Sequence, residues 1–309
     1  MNRPLAWITG ANGLIGNYLI QTAPRFAPDW RVLAIVRDGN MPSLPYVGRD
    51  AVSATPIPSG NVRRLDLTDF VAVRREFQKD QPQLVIHCAA MTVVADAEKN
   101  PALARRVNVE TTRLLAELAA DAQFVFFSSD LVFDGRKGNY VETDTANPLH
   151  VYGETKLAAE QIVLKNPRHL VVRTSLNAGV SRAGDRSFNE QLRLALLAGP
   201  GMTLFTDEFR CPIPAVETAR AVWELANKSC AGLFHVAGAK RLSRWQIGQL
   251  LVKRRPELAS RIKPGSARDF PGPPRALDTS LDISKVQKIL SRPLPGLGEW
   301  LAANPDEAF

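Results

Sequence analysis

Leu5-Ala-Trp-Ile-Thr-Gly-Ala-Asn-Gly-Leu-Ile-Gly16 is the stretch that decides the fold. A short apolar run ends at a glycine turn, and Gly13 to Gly16 lead into an apolar-periodic segment, which reads as strand, tight turn and helix. Glycines at 10, 13 and 16 share a reason. One permits the turn, one lets backbone N–H groups approach a pyrophosphate, and one lets the helix pack on the strand with its N-terminus facing the anion. Gly10, Asn12, Gly13, Leu14, Ile15 and Gly16 are therefore candidate cofactor-binding residues. The spacing is Gly-x-x-Gly-x-x-Gly and not Gly-x-Gly-x-x-Gly, so a plain glycine-rich turn competes until the rest of the chain is read.

Outward from that turn the alternation of strand and helix continues. A second strand, Arg31 to Val36, ends in Arg37-Asp38, where a chain of this type meets the adenosine ribose. An acid there takes the 2′-hydroxyl of NAD and an Arg takes the 2′-phosphate of NADP. Arg37 directly follows the strand, which favours NADP(H) and leaves NAD(H) open. Residues 39 to 60, rich in Pro, Gly and Ser, read as an irregular excursion. Val62 to Leu65 is a strand leading into Asp66-Leu67-Thr68-Asp69 and a capped helix start. Asp66 is read either as an acceptor for an adenine amino group or as an ordinary N-cap, with Leu67 beside it. Leu84 to Cys88 has a buried-strand pattern and ends in Ala89-Ala90, small enough for a cofactor to lie against the backbone. A helix from about Pro101 to Ala120, a strand Phe124 to Phe127 and then Ser128-Ser129-Asp130 follow. In an open parallel sheet ligands bind at the carboxyl ends of strands, so the glycine turn, Ala89 and Ser129 converge on one crevice.

Tyr152-Gly-Glu-Thr-Lys156 supplies a chemistry for that crevice. Tyr and Lys four apart share a helix face, and a nearby ammonium is expected to pull the phenol pKa down from about 10 so that the hydroxyl protonates a carbonyl oxygen near neutral pH. Ser129 is expected to hydrogen-bond the same oxygen. A surface helix with a snorkelling Lys is the bland alternative.

Composition bounds the partners. A 309-residue chain with 45% apolar and 23% charged residues is ordinary for a globular protein and buries a full core. No run is long enough to span a membrane, and the apolar start gives way to a turn too soon for a signal peptide, so a soluble, cytoplasmic protein is expected. Cys88, Cys211 and Cys230 are odd in number and widely spaced, which supports neither a disulfide framework nor a zinc site. The net charge of +8 is scattered as pairs among acids, without a nucleic-acid stripe, and suits an anionic small molecule.

Together these residues resemble the extended short-chain dehydrogenase/reductases. Thr9 to Gly16, Asp66-Leu67, Ala89-Ala90, Val107-Asn108, Ser128-Ser129-Asp130 and Tyr152 to Lys156 occur in that family's order. Within it the chain looks most like the dTDP-4-dehydrorhamnose reductase group, through Ala89-Ala-Met-Thr92, Leu131-Val-Phe-Asp-Gly135 and Arg275 to Lys285. The resemblance implies a catalytic triad of Ser129, Tyr152 and Lys156, with Lys156 also holding the nicotinamide ribose and Asn108 in a supporting position. It implies hydride delivery from NAD(P)H to the C4 ketone of a deoxysugar nucleotide, with Tyr152 giving the proton. Thr92, Ser129 and Arg275 are the candidate substrate contacts, Arg275 through its bidentate fork on a phosphate. Leu131 stands where the group carries an aromatic hydroxyl, Ala95 where it carries Asp, and Ala276 and Asp278 where it carries Pro and Asn. An epimerase or dehydratase of the same superfamily, and a non-catalytic NADP-binding subunit resembling the methionine adenosyltransferase beta subunit, are the rival functions.

The expected architecture is an α/β, Rossmann-type doubly wound parallel sheet with a smaller C-terminal substrate-binding lobe. The cofactor domain covers residues 1–176 with a returning segment near 216–240, in which Gly232 to Val236 rejoins the sheet. The lobe covers 177–215 and 241–309. Helices at 101 to 120 and 153 to 165 offer a face for a homodimer.

Overall fold

The computed structural model describes residues 3–37, 61–181, 183–271, 275–307 and 309. Asp38 and the irregular excursion expected at 39 to 60 lie outside the described residues.

Seven strands form one all-parallel sheet: β1 (Leu5–Thr9), β2 (Arg31–Val36), β3 (Val62–Arg64), β4 (Leu84–His87), β5 (Gln123–Ser129), β6 (Leu170–Thr174) and β7 (Gly232–Val236). Their spatial order is β3-β2-β1-β4-β5-β6-β7, so the strand order reverses between β1 and β4. The sheet and the return of Gly232–Val236 match the expected fold class. β1 and β4 are buried along their whole length, as strands covered on both faces require.

One face carries α1 (Leu14–Phe26) and α5 (Ala215–Asn227), the other α2 (Phe70–Asp80), α3 (Thr111–Leu118) and α4 (Val151–Val163). α1 and α5 are pinned by Trp223, whose buried indole donates to the Leu19 carbonyl at 2.9 Å. On the second face Ala159 and Val163 of α4 pack with Leu115, Phe124 and Val171. That seats α4 against the sheet and aims its N-terminal turn at the carboxyl ends of β4 and β5.

The segment read as one helix from Pro101 to Ala120 is broken into Pro101–Arg105, a π-turn Arg106–Glu110, and α3. A further short helix, Val94–Lys99, precedes it. A π-turn adds a residue to the helical register, and here it turns Asn108 inward.

After β6 the chain builds three two-stranded ladders: Asn177–Ala178 with Ile213–Pro214, Met202–Phe205 with Ile262–Gly265, and Phe209–Arg210 with Leu242–Ser243. Two helices start at capping boxes, Ser187 with Glu190 and Ser243 with Gln246. Leu196, Leu251, Leu258, Leu297 and Leu301 form a separate small core there. Leu281, Ile283, Val286 and Leu290 pack instead with the core under α1 and α5. No helix among the described residues is long and apolar enough to cross a membrane.

Candidate active site

The register pairs Thr9 with His87, so the turn after β1 and Cys88-Ala89 after β4 run side by side. Gly10 has φ +64°, and a Cβ there would lie 2.6 Å from the Ala89 nitrogen. The position therefore excludes any side chain on both counts. Beneath it Thr9 Oγ1 meets His87 Nδ1 at 2.7 Å and His87 Nε2 meets Thr112 Oγ1 at 3.2 Å. Burial and the Lys156 ammonium hold His87 down to about 3, so the imidazole is neutral. Thr112 gives its own hydrogen to the Asn108 carbonyl at 2.7 Å, which leaves Nε2–H as the donor to Thr112 and assigns the tautomer.

Gly13 is exposed and is the N-cap of α1, with no side chain capping the helix. Leu14 and Gly16 are buried and Asn12 and Ile15 half-buried around it. A bare helix N-terminus at a glycine turn suits a pyrophosphate, and Ala89 and Ala90, both half-buried, leave the crevice wall low. These residues fit a dinucleotide.

At the ribose end Arg37 is exposed. Asp66 is exposed too, and Thr68 donates to its Oδ1 from both the amide, at 2.9 Å, and the hydroxyl, at 2.8 Å. Those two bonds, helped by the Arg37 and Arg106 charges, hold its carboxyl below the ordinary value. The N-cap of α2 is Asp69, which accepts from Ala72, so the N-cap reading of Asp66 is corrected. Leu67 is half-buried, and its carbonyl accepts from Thr111 Oγ1 at 3.4 Å.

α4 presents Tyr152 and Lys156, both buried. Its first turn has no side-chain cap of its own; Glu98 supplies one, accepting from the Val151 amide at 2.8 Å. Gly153 lets the helix backbone close on the Leu131 carbonyl, since a Cβ there would overlap it. That contact brings Tyr152 beside Ser129. Asn108 ties the arrangement together: its Oδ1 accepts from Met91 N at 2.8 Å, and its Nδ2 donates to the Met91 carbonyl at 3.1 Å and to Thr155 Oγ1 at 3.0 Å. The loop after β4 is thereby fixed to the helix of the Tyr.

The electrostatics differ from the sequence expectation. Burial pushes the Tyr152 phenol up to about 12, a hydrogen bond with Ser129 working against it and the Asp130 charge with it. Lys156 is brought down to about 7 by burial, with Glu160 and Cys88 opposing. The expected lowering of Tyr152 by Lys156 is absent because the two groups share one desolvated pocket, where burial penalises phenolate and ammonium alike. The ammonium instead lies 4.1 Å from the Phe126 ring centroid. The Tyr152 ring packs with Ala97 and Ala104, against Met91, Val94, Leu131 and Val151, so Leu131 forms part of an apolar wall.

Ser129, at the end of β5, donates to Asp130 Oδ1 at 3.2 Å and accepts from the Leu131 amide at 3.2 Å. Asp130 faces Arg210 at 3.8 Å, and Arg210 pairs with Glu208 at 3.2 Å. Glu208 also takes Arg244 at 2.8 Å and Arg275 at 2.6 Å. Burial pushes Glu208 up, yet the three guanidiniums outweigh it and hold the carboxyl at about 2. Arg275 is thus spoken for on its Nε side and stacks near Phe205 and Phe270, with about a third of its side chain exposed. Thr92 and Ala95 are exposed on the loop and short helix after β4.

Ala276 is buried and closes on Gly135, and Asp278 pairs with Arg241 at 2.7 Å. These two differences from the resembled pattern serve the seam between the lobe and the loop after Ser129. Glu208 and Arg210 went unmarked in the sequence, and Asp130 stood only as part of the Ser128-Ser129-Asp130 block, because their pairing joins segments far apart in the chain. The adjacency of Ser129 and Asp130 was the one available signal. The three cysteines carry free thiols, and among the described residues no cluster could hold a metal ion.

The family model described as RmlD substrate binding domain matches residues 6–304. The chain is similar to the probable low-salt glycan biosynthesis reductase Agl14 of Haloferax volcanii, at 31% identity over 96% of each protein. It is also similar to methionine adenosyltransferase 2 subunit beta of Xenopus laevis, at 27% identity over 92% of this chain and 82% of that one. Among solved structures, a hypothetical dTDP-4-dehydrorhamnose reductase from Sulfolobus tokodaii matches with a TM-score of 0.76 at 30% identity, covering 94% of this chain and 97% of the other.

Proposed function

The chain belongs to the RmlD substrate-binding-domain family, and we propose that it reduces the C4 ketone of a deoxysugar nucleotide with Tyr152 as the proton donor. It is an NAD(P)-dependent oxidoreductase, as the reductases of this family are. The observation that carries the narrower reading is the burial of Tyr152 and Lys156 on one face of α4, Tyr152 beside Ser129 and Lys156 within reach of His87 and Cys88 at the end of β4.

A dinucleotide would be held by Gly10, Asn12, Gly13, Leu14, Ile15 and Gly16 at its pyrophosphate, with Asp66 and Leu67 toward the adenine and Ala89 and Ala90 along its length. Bound there, the nicotinamide supplies the hydride. Tyr152 gives its proton to the carbonyl oxygen, the Ser129 hydroxyl donates to the phenolate left behind, and Lys156 would hold the nicotinamide ribose. Ketone, hydride and proton balance to an alcohol. The apolar wall of Met91, Val94 and Leu131 excludes water from the reacting carbon and suits a sugar carrying few hydroxyls. Thr92, Ser129 and Arg275 are the substrate contacts in this reading, with Arg275 and Arg244 giving the nucleotide phosphates a positive field.

Arg37 at the end of β2 supports NADP(H). Turnover with NADPH is expected to exceed that with NADH at low cofactor concentration, and equal or faster turnover with NADH overturns the preference. The likeness to a methionine adenosyltransferase subunit supports a second reading, a non-catalytic NADP-binding subunit. A panel of nucleotide-linked 4-keto sugars with NADPH, followed at the nicotinamide absorbance, separates the readings. Oxidation of added NADPH with one substrate supports the reductase. Conversion without net cofactor change indicates an epimerase or dehydratase, and cofactor binding without turnover indicates the subunit.

A further inference from the structure

Asp130 is buried in the turn directly after Ser129 and gathers three hydroxyls from three parts of the chain. Its Oδ1 accepts from Ser129 at 3.2 Å, and its Oδ2 from Ser175 at 2.7 Å and Thr279 at 3.0 Å. A carboxylate only accepts, so each of these hydroxyls must spend its hydrogen on Asp130. The Oδ2 side is fixed from both directions. Ser175 follows β6 and takes the Cys211 amide at 3.3 Å, Thr279 sits in the 275–285 segment, and Arg210 stands 3.8 Å off. The Ser129 bond to Oδ1 is the longest of the three.

Ser129 has one hydrogen and a full set of neighbours. Its Oγ accepts from the Leu131 amide at 3.2 Å and also meets the Tyr152 hydroxyl. With the serine hydrogen on Asp130, Tyr152 must be the donor in that contact. We infer that Asp130 is a positioning residue for the proton donor: its carboxylate holds the Ser129 hydrogen while Tyr152 is protonated and yields it to the phenolate once Tyr152 has given its proton away. Ser129 then serves Tyr152 after transfer and not before.

The other charges around the pair are few. Lys156 lies one turn along α4 over Phe126, with His87 and Cys88 beyond it, and Glu98 caps the start of the helix. Arg210 faces Asp130 from the other side, itself paired with Glu208, which also holds Arg244 and Arg275.

The inference rests on the reductase reading, but its test needs no substrate, so a failed turnover panel and a failed titration are separate results. The chain has four tyrosines, and in protein labelled with [13Cζ]tyrosine the Tyr152 resonance is assigned with Tyr152→Phe. Wild-type Tyr152, held at about 12, should stay phenolic up to about pH 11. In Asp130→Asn the midpoint should fall by about one unit, since a like charge and a competitor for the hydrogen are both removed. In a Ser129→Ala background the same substitution should move Tyr152 by about half as much or less. A folded Asp130→Asn protein that titrates as wild type overturns the inference. So does an equal shift in both backgrounds, which reduces Asp130 to a remote charge. If circular dichroism shows Asp130→Asn unfolded, Asp130→Ser replaces it with the same readings.

Discussion

Arg173 on β6 grips Glu160 on α4 with two bonds, Nε to Oε1 at 2.9 Å and Nη2 to Oε2 at 2.7 Å, one helical turn beyond Lys156. Both side chains are almost fully buried. Glu160 is the leading charge that favours the Lys156 ammonium, against the burial that brings it down to about 7. Replacing Glu160 by Gln leaves Arg173 without its counter-charge and is expected to cost about 3–5 kcal/mol of stability. It also lowers Lys156 further, so the alkaline limb of the activity profile moves to lower pH. Urea unfolding and a pH–rate profile measure the two effects, and an unmoved limb would show that Lys156 is insensitive to the pair.

Gly10 and Gly13 separate fold from ligand. At Gly10 the left-handed backbone and the nearby Ala89 nitrogen make Gly10→Ala destabilising by about 1–3 kcal/mol. Among the described residues a Cβ at Gly13 meets only the Gly10 carbonyl, at 3.1 Å. Gly13→Ala should therefore melt close to wild type while binding NADPH several-fold more weakly. Thermal melts with a fluorescence titration of the nucleotide test both, and unchanged NADPH affinity in Gly13→Ala would remove the pyrophosphate from this turn.

His87 sets an acid limit on stability. Its folded value, about 3, lies below the ordinary 6.5 because burial and Lys156 disfavour the charged ring. Below 6.5 the unfolded chain binds a proton that the folded chain does not, so stability falls as pH drops from 6.5 toward 3. His87→Gln is expected to flatten that part of the curve. Equal slopes for variant and wild type in urea melts at pH 4 to 7 would show that another group controls it.

The sheet was legible because its strands are short apolar runs bounded by turn residues, as at Leu5–Thr9 and Leu84–His87. Tyr152, Lys156 and Ser129 were legible because a local spacing and a strand end place them. What stayed hidden depends on tertiary context. The π-turn that turns Asn108 inward leaves no periodicity signal, and Glu98 caps a helix more than fifty residues away. The Asp130, Arg210 and Glu208 chain joins β5 to the lobe. The sign of the Tyr152 shift was missed for the same reason, since burial of the whole pocket is not written in any one segment.

Replacing Tyr152 by Phe tests the central claim most directly. The substitution keeps the ring packed among Ala97, Ala104 and Leu131 and removes only the hydroxyl. Single-turnover reduction of a nucleotide-linked 4-keto sugar should slow by about 10²–10⁴-fold, the range of a lost general acid, with NADPH binding within a few-fold of wild type. A Tyr152→Phe protein that reduces the ketone at the wild-type rate would contradict the assignment of Tyr152 as the proton donor.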